Sequence, residues 1–201
     1  MNTKTYTAFA GDACIASGEL TAMLLGVKAC LDGGENRPVL VFEDQTGMQI
    51  DFNLRGTAEE VLANITMHPH FVSADTASAR KEGPGRPKLG VVGREVSLLP
   101  RHWEWLNQQP SGASAAIRRL VDEARKRNAG KDGARQARDA AAKFMWTMAG
   151  NRPGFEEASR ALYARDRERF DALTAAWPKD IREYLGRRVT EAERFEEKQT
   201  E

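Results

Sequence analysis

The first third of the chain alternates between apolar runs and turn residues. Thr5–Gly18 (TYTAFAGDACIASG) alternates on either side of Gly11-Asp12, a pattern typical of two strands joined by a tight turn. Leu20–Leu31 is almost entirely apolar and is followed by Asp-Gly-Gly, which predicts a buried helix ended by glycine. A hairpin followed by a helix is therefore predicted.

The same order is predicted a second time. Residues 38–43 (PVLVFE) and 48–54 (MQIDFNL) flank Asp-Gln-Thr-Gly and predict a second hairpin. Thr57, with Glu60 three residues later, matches the capping box of a short helix that ends near Ile65. Residues 1–66 are thus predicted to form a small ββαββα unit.

The middle of the chain begins with a linker and continues as a strand and two helices. Residues 67–85 have no periodicity and are rich in small and turn-forming residues, which predicts an exposed linker. Within 86–128, the alternation of Val91–Leu98 predicts a strand. The first helix runs from Pro100 to before Pro110, and Ser114 is predicted to be the N-cap of the second. Leu99, Trp103 and Leu106 share one face of the first helix, so Trp103 is expected to be buried.

The last third is predicted to be helical. A break is expected at Asn128–Gly133, and residues 129–189 then carry apolar residues at helical spacing. One helix is predicted to end at Gly150, and three more begin at Pro153, Asp166 and Pro178. Residues 190–201 form a charged tail that is expected to fray. The predicted fold class is α+β.

Charge is unevenly distributed along the 201 residues, although the formal net charge is only +1. Residues 1–79 carry 4 basic and 10 acidic side chains, residues 80–138 carry 14 and 6, and residues 139–201 carry 12 and 13. A basic middle indicates either an anionic partner or contact with an acidic part of the same molecule. The chain has no apolar run long enough to span a membrane and no signal-peptide pattern, so we expect a cytoplasmic protein without a membrane partner.

The central segment resembles the ribbon-helix-helix family of DNA-binding proteins, through its Leu-Pro entry to one helix and Gly-x-Ser before Ile-Arg-Arg-Leu in the next. The resemblance implies a homodimer whose paired strands enter the major groove of double-stranded DNA, with Ser114 and the following amides holding a phosphate. If Val92, Val96 and Leu98 point inward, Gly93, Glu95 and Ser97 face the groove; in the other register Arg94 faces it, together with apolar residues.

A short basic run precedes this segment. Gly85-Arg86-Pro87-Lys88 resembles the core of an AT-hook, which places arginine in the minor groove; a linker turn is the alternative. The predicted nucleic-acid-binding residues are Arg86, Lys88, Arg94 and Ser114. Arg118, Arg119 and Arg125 could contact phosphates, but they could equally pair with Asp122 and Glu123 on a solvated helix face.

Motifs for catalysis are missing from the sequence. It has no nucleophile elbow, phosphate-binding glycine loop or cysteine-histidine pair. Three histidines and two cysteines, Cys14 and Cys30, have no metal-ligand spacing, and both cysteines are expected to be buried as small apolar residues. We therefore expect neither an enzyme nor a cofactor or metal, and the sequence leaves any small-molecule ligand unknown.

Five segments spread over nearly the whole chain carry a second resemblance: TYTAFAGD, PVLVFEDQTG, GRPKLGVVGREVSLLPRHWEWL, FMWTMAG and PGFEEASRALYARDRERFDAL. They are similar to a bacterial family known as domain of unknown function 2239. The resemblance implies a cytosolic bacterial protein and no particular activity. The favoured hypothesis is a dimeric DNA-binding or transcription-associated protein. The alternative is a protein-interaction or structural module whose centre serves dimerisation or internal packing only.

Overall fold

A computed structural model describes residues 4–65, 67–71 and 93–198. The chain divides into two compact units, one made of residues 1–73 and 130–201 and the other of residues 74–129. In chain order the elements are β1 (Tyr6–Ala10), β2 (Ala13–Gly18), α1 (Leu20–Asp32), β3 (Val39–Glu43), β4 (Met48–Ile50), α2 (Ala58–Ile65), α3 (Pro100–Asn107), α4 (Gly112–Ala149), α5 (Phe155–Ala164), α6 (Arg167–Thr174) and α7 (Lys179–Glu197). The fold is α+β, as predicted.

The four strands form one antiparallel sheet with the order β2-β1-β3-β4. Strand β1 pairs with β2 across the predicted tight turn and with β3 on its other side, where Thr7 lies opposite Phe42 and Ala8 opposite Val41. Because β1 is central, all five of its residues are buried. The predicted ββαββα order of residues 1–66 is confirmed.

Alternation along β1 and β3 sends side chains to two different cores. Tyr6, Ala8 and Val41 pack on one face with Met23, Leu24 and Val27 of α1 and Val61 of α2. On the opposite face, Phe9 and Phe42 pack with residues of α4, α5 and α7. Since side chains alternate in a strand, the sheet is covered on both faces, and residues 130–197 complete the core begun by the N-terminal strands.

Four aromatic rings form the centre of the second core. The ring of Phe144 on α4 lies 4.8 Å from that of Phe42, 5.2 Å from that of Phe9 and 4.0 Å from that of Tyr184 on α7, measured between centroids. All four residues are essentially inaccessible to solvent. Buried aromatic rings contribute a large part of the apolar stabilisation of a core, so this cluster holds the sheet against the helices.

Local capping signals in the sequence form the contacts that they predict. The amide of Thr57 donates to Glu60 Oε2 at 2.8 Å, and the amide of Glu60 donates to Thr57 Oγ1 at 3.3 Å, which completes the capping box of α2. Asp166 caps α6, since its Oδ1 accepts from the amide of Arg169 at 3.0 Å. Both predictions are confirmed because capping depends only on neighbouring residues.

The predicted break at residues 128–133 is wrong, because α4 is continuous over 38 residues from Gly112 to Ala149. Two glycines cost a helix about 1 kcal/mol each but do not interrupt its hydrogen bonds as proline would. Gly133 also has a packing role: a Cβ built there would lie 2.6 Å from Cδ1 of Phe195 on α7. This glycine permits the close approach of two helices.

The predicted fraying of residues 190–201 is wrong for the part that the structure describes. Helix α7 continues to Glu197, with Val189 and Ala192 buried on its inner face. Phe195 packs against α4, while the acidic residues of the same stretch occupy the remaining faces. The charge pattern is therefore that of a solvated helix face rather than of an unstructured tail.

The predicted strand at Val91–Leu98 is also wrong where it can be assessed, since residues 93–99 have no regular secondary structure and residues 93–97 are exposed. A lone strand leaves its backbone groups unpaired, and the four-stranded sheet of the other unit contains no partner for it. In α3, Leu106 is buried as predicted, but the expectation of a buried Trp103 is wrong because 38% of its surface is exposed.

Candidate functional site

The structure describes two of the four residues that were predicted to bind nucleic acid. Arg86 and Lys88 lie outside the described residues. Arg94 is exposed in the irregular segment before α3, and Ser114 is exposed as the third residue of α4. Because α4 begins at Gly112, Ser114 lies inside the helix, and its predicted N-cap position is wrong. Within the described chain, no hydrogen bond or ion pair joins Arg94 to Ser114.

Basic side chains on the first half of α4 belong to two groups. Arg119 lies 3.8 Å from Glu123 and Arg125 lies 3.9 Å from Asp122, in pairs whose four side chains are more than half exposed. Exposed pairs at these spacings contribute only about 0.3 to 0.5 kcal/mol each. In contrast, Arg118 and Lys126 make no ion pair with any described residue.

A large cavity lies in the other unit, between α4, the end of α5 and α7. It is an open groove of about 980 Å³. Among the described residues that line it, four are basic and two are acidic; these lining residues are Lys131, Asp132, Arg135, Arg138, Tyr163, Arg165 and Glu196. We call it the basic groove. Its lining therefore has a net positive charge.

One carboxylate at the inner side of the basic groove forms ion pairs with two guanidinium groups. Arg138 Nη2 donates to Glu196 Oε2 at 2.6 Å, and Arg165 Nη1 lies 3.0 Å from Glu196 Oε1. The Arg138 side chain is only 9% exposed, whereas that of Arg165 is 66% exposed. A buried guanidinium must be paired to offset its desolvation, so Glu196 holds Arg138 in place and leaves the second arginine available to solvent.

On the outer side of the basic groove, carboxylates neutralise less of the positive charge. Arg135 Nη2 lies 3.2 Å from Asp132 Oδ1, and both side chains are more than half exposed. The side chain of Lys131 forms no hydrogen bond or ion pair with the described residues. Positive charge is therefore concentrated where solvent and solutes have access.

Tyr163 supplies the aromatic surface of the basic groove. Its hydroxyl donates to Asp139 Oδ1 at 3.2 Å, and about half of its surface is exposed. Partial burial, together with the negative charge of Asp139 and the hydrogen bond to it, raises the pKa of Tyr163 above its ordinary value. The phenol therefore stays protonated at neutral pH and the ring is held in one orientation.

Arg165 adopts an unusual backbone conformation. Its φ is +63°, and it is the only residue other than glycine with a positive φ among those the structure describes. It occupies the left-handed position that ends α5, where glycine or asparagine is usual. A left-handed arginine costs about 1 kcal/mol relative to glycine, and here the side chain at this position extends into the basic groove.

A family model for an uncharacterized protein conserved in bacteria, DUF2239, matches residues 5–188. The chain belongs to the DUF2239 family. No curated protein and no solved structure matches it. The match spans both compact units, and its last residue lies in α7 shortly before Glu196.

In this DUF2239 chain the sequence contained one usable signal for the basic groove. Lys131, Arg135 and Arg138 are separated by four and three residues, so they share one face of a helix. Because a break was predicted at residues 128–133, Lys131 was not assigned to the same helix as Arg135 and Arg138. Arg165 and Glu196 could not have been assigned to it, because only the tertiary fold brings α5 and α7 to α4.

Buried polar residues at the end of β3 form a second cluster. The Thr7 hydroxyl donates to Asp44 Oδ1 at 2.8 Å, and Arg188 Nη1 donates to the Asp44 carbonyl oxygen at 3.2 Å. Glu43, only 2% exposed, lies 2.6 Å from Lys4 Nζ and accepts from the Thr46 hydroxyl at 2.6 Å. Burial opposes ionisation of Glu43, but the contacts with Lys4 and Thr46 outweigh it and lower the pKa below its ordinary value. The Glu43 carboxylate is buried and held by Lys4 and Thr46, which indicates a structural role.

Other candidate chemical groups are dispersed. No group of three or more potential metal ligands occurs in the described parts of the chain, and both cysteines are free thiols that are half-buried rather than buried as expected. His68 Nε2 lies 2.7 Å from the carbonyl oxygen of Asp51, which gives that ring a local structural partner. None of the described helices is long and apolar enough to cross a bilayer.

Proposed function

We propose that the segment made of residues 93–129 is a protein-interaction module through which two copies of the chain associate. The observation that carries the proposal is its exposed apolar surface. Two tryptophans of the eight-residue helix α3 are accessible, Trp103 at 38% and Trp105 at 45%. Tryptophan is among the residues most enriched at the centres of protein interfaces.

Further apolar residues of the same segment support this proposal. Leu99, the N-cap residue of α3, is exposed, and so are Val96, Leu120 and Val121. Isolated exposed apolar residues are ordinary, but several large ones within one short segment mark an interaction surface. A second copy is a suitable partner because an identical module offers the same apolar side chains, as in most soluble homo-oligomers.

Sedimentation of the full chain tests this proposal. At tens of micromolar we expect a dimer that Trp103→Ala converts to monomer, because removal of a central indole weakens association by about tenfold or more. The matched control is Trp146→Ala, since Trp146 is 74% exposed on the C-terminal part of α4. A monomeric wild-type chain, or equal dissociation in both variants, would contradict the proposal.

Binding of double-stranded DNA, in a transcription-associated role, is the second candidate, and charge is the observation that favours it. Residues 93–129 contain seven basic and four acidic side chains. Arg94, Arg118 and Lys126 are exposed and have no ion-pair partner in the described chain. Such side chains can contact phosphates without a strand that reads the bases. The lack of a strand at residues 93–98 therefore does not exclude DNA binding.

Titration of a random duplex at several salt concentrations tests the second candidate. We expect Arg94→Gln with Arg118→Gln to weaken binding and to reduce the salt slope by about 0.9 for each phosphate that is no longer neutralised. Arg119→Gln with Arg125→Gln is the control, because those two arginines already have carboxylate partners. Arg86→Ala and Lys88→Ala test the predicted minor-groove residues in the same assay. Failure to bind the duplex at low salt would exclude this candidate.

A further inference from the structure

We propose that the basic groove binds the phosphate group of a small phosphorylated compound. This site lies in a different compact unit from the proposed interaction module, so neither proposal depends on the other. Three cationic side chains from two helix regions carry the argument: Lys131 and Arg135 on α4, and Arg165 at the end of α5. Each is accessible from the groove.

The charge arrangement favours an anion. Glu196 is shared between Arg138 and Arg165, and Asp132 is paired with Arg135, so the four basic lining residues have only two carboxylates among the lining residues. An incoming anion would offset the remaining positive charge without displacing the buried pair between Arg138 and Glu196. The pair instead acts as a fixed support for the groove.

The number and kind of donors favour phosphate over a carboxylate. Arginine presents a planar pair of N–H donors that matches two oxygens of a phosphate, and lysine adds a compact charge. Two accessible guanidinium groups and one ammonium group provide more donors than the two oxygens of a carboxylate can accept. A dianion with three terminal oxygens suits this set.

The size and aromatic lining of the groove indicate a ligand larger than inorganic phosphate. A volume of about 980 Å³ lies at the upper end of the range of about 300 to 1,000 Å³ for small-molecule sites. The half-exposed ring of Tyr163, held by its hydrogen bond to Asp139, offers a flat surface for the remainder of the ligand. A planar group attached to the phosphate would fit this surface.

The backbone of Arg165 provides independent support. Glycine would end α5 with less strain, yet an arginine occupies the left-handed position and extends into the groove. Local strain that folding does not require is often found at functional positions. Arg165→Gly therefore removes a proposed ligand-binding side chain while relieving strain, so we expect a change in Tm of no more than about 3 °C.

Calorimetric titration of the full chain at low ionic strength tests the proposal, with pyrophosphate, adenosine monophosphate and adenosine as probes. We expect both phosphate-bearing probes to bind and adenosine not to bind. Lys131→Gln with Arg135→Gln should weaken binding about tenfold or more, because charge-assisted hydrogen bonds are removed. Both side chains are exposed, so folding should be retained, which the Tm of each variant will verify.

Two further variants test whether affinity can be increased and whether the effect is confined to the groove. Asp132→Asn removes a carboxylate that competes for Arg135, and we expect it to tighten binding by about two- to fivefold. Arg160→Gln is the control, because this exposed arginine on α5 pairs with Glu156 and lies outside the groove. The control should bind as the wild type does.

Three results would overturn the proposal. The first is that neither phosphate-bearing probe binds at millimolar concentration. The second is binding that is unaffected by Lys131→Gln with Arg135→Gln or by Arg165→Gly. The third is that a single-stranded oligonucleotide binds in a way that depends on these residues while the small probes do not, which would assign the groove to a nucleic-acid backbone.

Discussion

The compact unit of residues 1–73 and 130–201 and the segment of residues 93–129 bury their aromatic residues very differently. In the first, Phe9, Phe42, Phe144 and Tyr184 are enclosed and in mutual contact. In the second, Trp103 and Trp105 are both accessible. Enclosed rings stabilise a fold by themselves, whereas accessible rings can contribute comparable free energy only after another surface covers them. The enclosed rings therefore stabilise the first region, whereas the accessible tryptophans are the ones for which an interaction is proposed.

Removal of the central ring should produce the largest effect. We expect Phe144→Ala to lower the free energy of unfolding by about 3 to 5 kcal/mol, because it leaves a cavity among three other aromatic rings. Denaturant unfolding followed by circular dichroism measures this decrease. The comparison variant is Trp103→Ala, whose partly exposed indole should cost less than about 1.5 kcal/mol in a monomeric sample. Equal decreases would mean that the two regions do not differ as described.

This contrast also shows how far the sequence determines the fold. The ββαββα unit was predictable because strand alternation, turn residues and the Thr57–Glu60 capping box are local signals. Trp103 was misassigned because helical spacing identifies an apolar face but does not say what covers it. The same limit applies to residues 128–133, where the glycines resemble a helix break unless Phe195 on α7 is known to lie against Gly133.

The candidate site was less predictable than the fold. Three of its basic residues share a helix face in the sequence, but Tyr163, Arg165 and Glu196 come from later helices whose arrangement no local pattern specifies. The expectation of a frayed tail excluded Glu196 altogether. Sites assembled from distant segments depend on tertiary packing, whereas capping and turns depend on neighbouring residues.

A smaller but still large effect is expected at the turn between β3 and β4. Gly47 has a φ of +64°, and a Cβ added there would lie 2.1 Å from the carbonyl oxygen of Ala140 on α4. Gly47→Ala should therefore cost about 2 to 4 kcal/mol through overpacking and left-handed strain. The backbone of α4 cannot move away without disturbing the aromatic core beside it.

Gly34→Ala is the matched control for this substitution. Gly34 also has a positive φ, +100°, but nothing lies within 4 Å of an added Cβ. It should cost only the conformational strain, about 1 to 2 kcal/mol. Thermal unfolding of the two variants separates strain from overlap. If both were destabilised by the same amount, the close approach of the turn to α4 would not contribute.

The buried Glu43 should make the compact unit sensitive to acid. Its pKa is lowered in the folded protein, so the associated stability is present above the unfolded value of about 4.3 and is lost as pH falls through the folded pKa. Glu43→Gln should cost about 1 to 2 kcal/mol at pH 7, through the weakened interactions with Lys4 and Thr46. Below about pH 4.3 it should reduce the steepness of the acid-induced destabilisation.

Added salt should distinguish buried Glu43 from Glu35, a surface carboxylate whose pKa is also lowered. The hydrogen bonds from Arg37 lower the pKa of Glu35 to about 2. This pair lies at the surface, so added salt should screen it, while the interactions of the buried Glu43 should persist. The stability contributions of the two carboxylates can be measured by urea unfolding of Glu43→Gln and Glu35→Gln at pH 7 and pH 3.5. Each variant is measured with and without 0.5 M salt, which gives a screening length of about 4 Å. A Glu43 contribution that disappeared in salt would show that its environment is not enclosed.

The smallest effect should come from the exposed ion pairs of residues 93–129. Arg125 and Asp122 are 3.9 Å apart, with side chains 79% and 66% exposed, so water and ions screen the attraction and ordering the side chains offsets it. Arg125→Gln should change the free energy of unfolding by no more than about 0.5 kcal/mol. The dissociation constant of the proposed dimer should stay within about threefold of the wild-type value. Denaturant unfolding and sedimentation measure the two quantities. A destabilisation above about 1 kcal/mol would show that Arg125 makes an interaction in the folded chain beyond its pair with Asp122. If Arg125→Gln changed the dissociation constant strongly and Trp103→Ala did not, the proposed interaction surface would lie on the charged face of α4. The apolar side chains of α3 would then not form it.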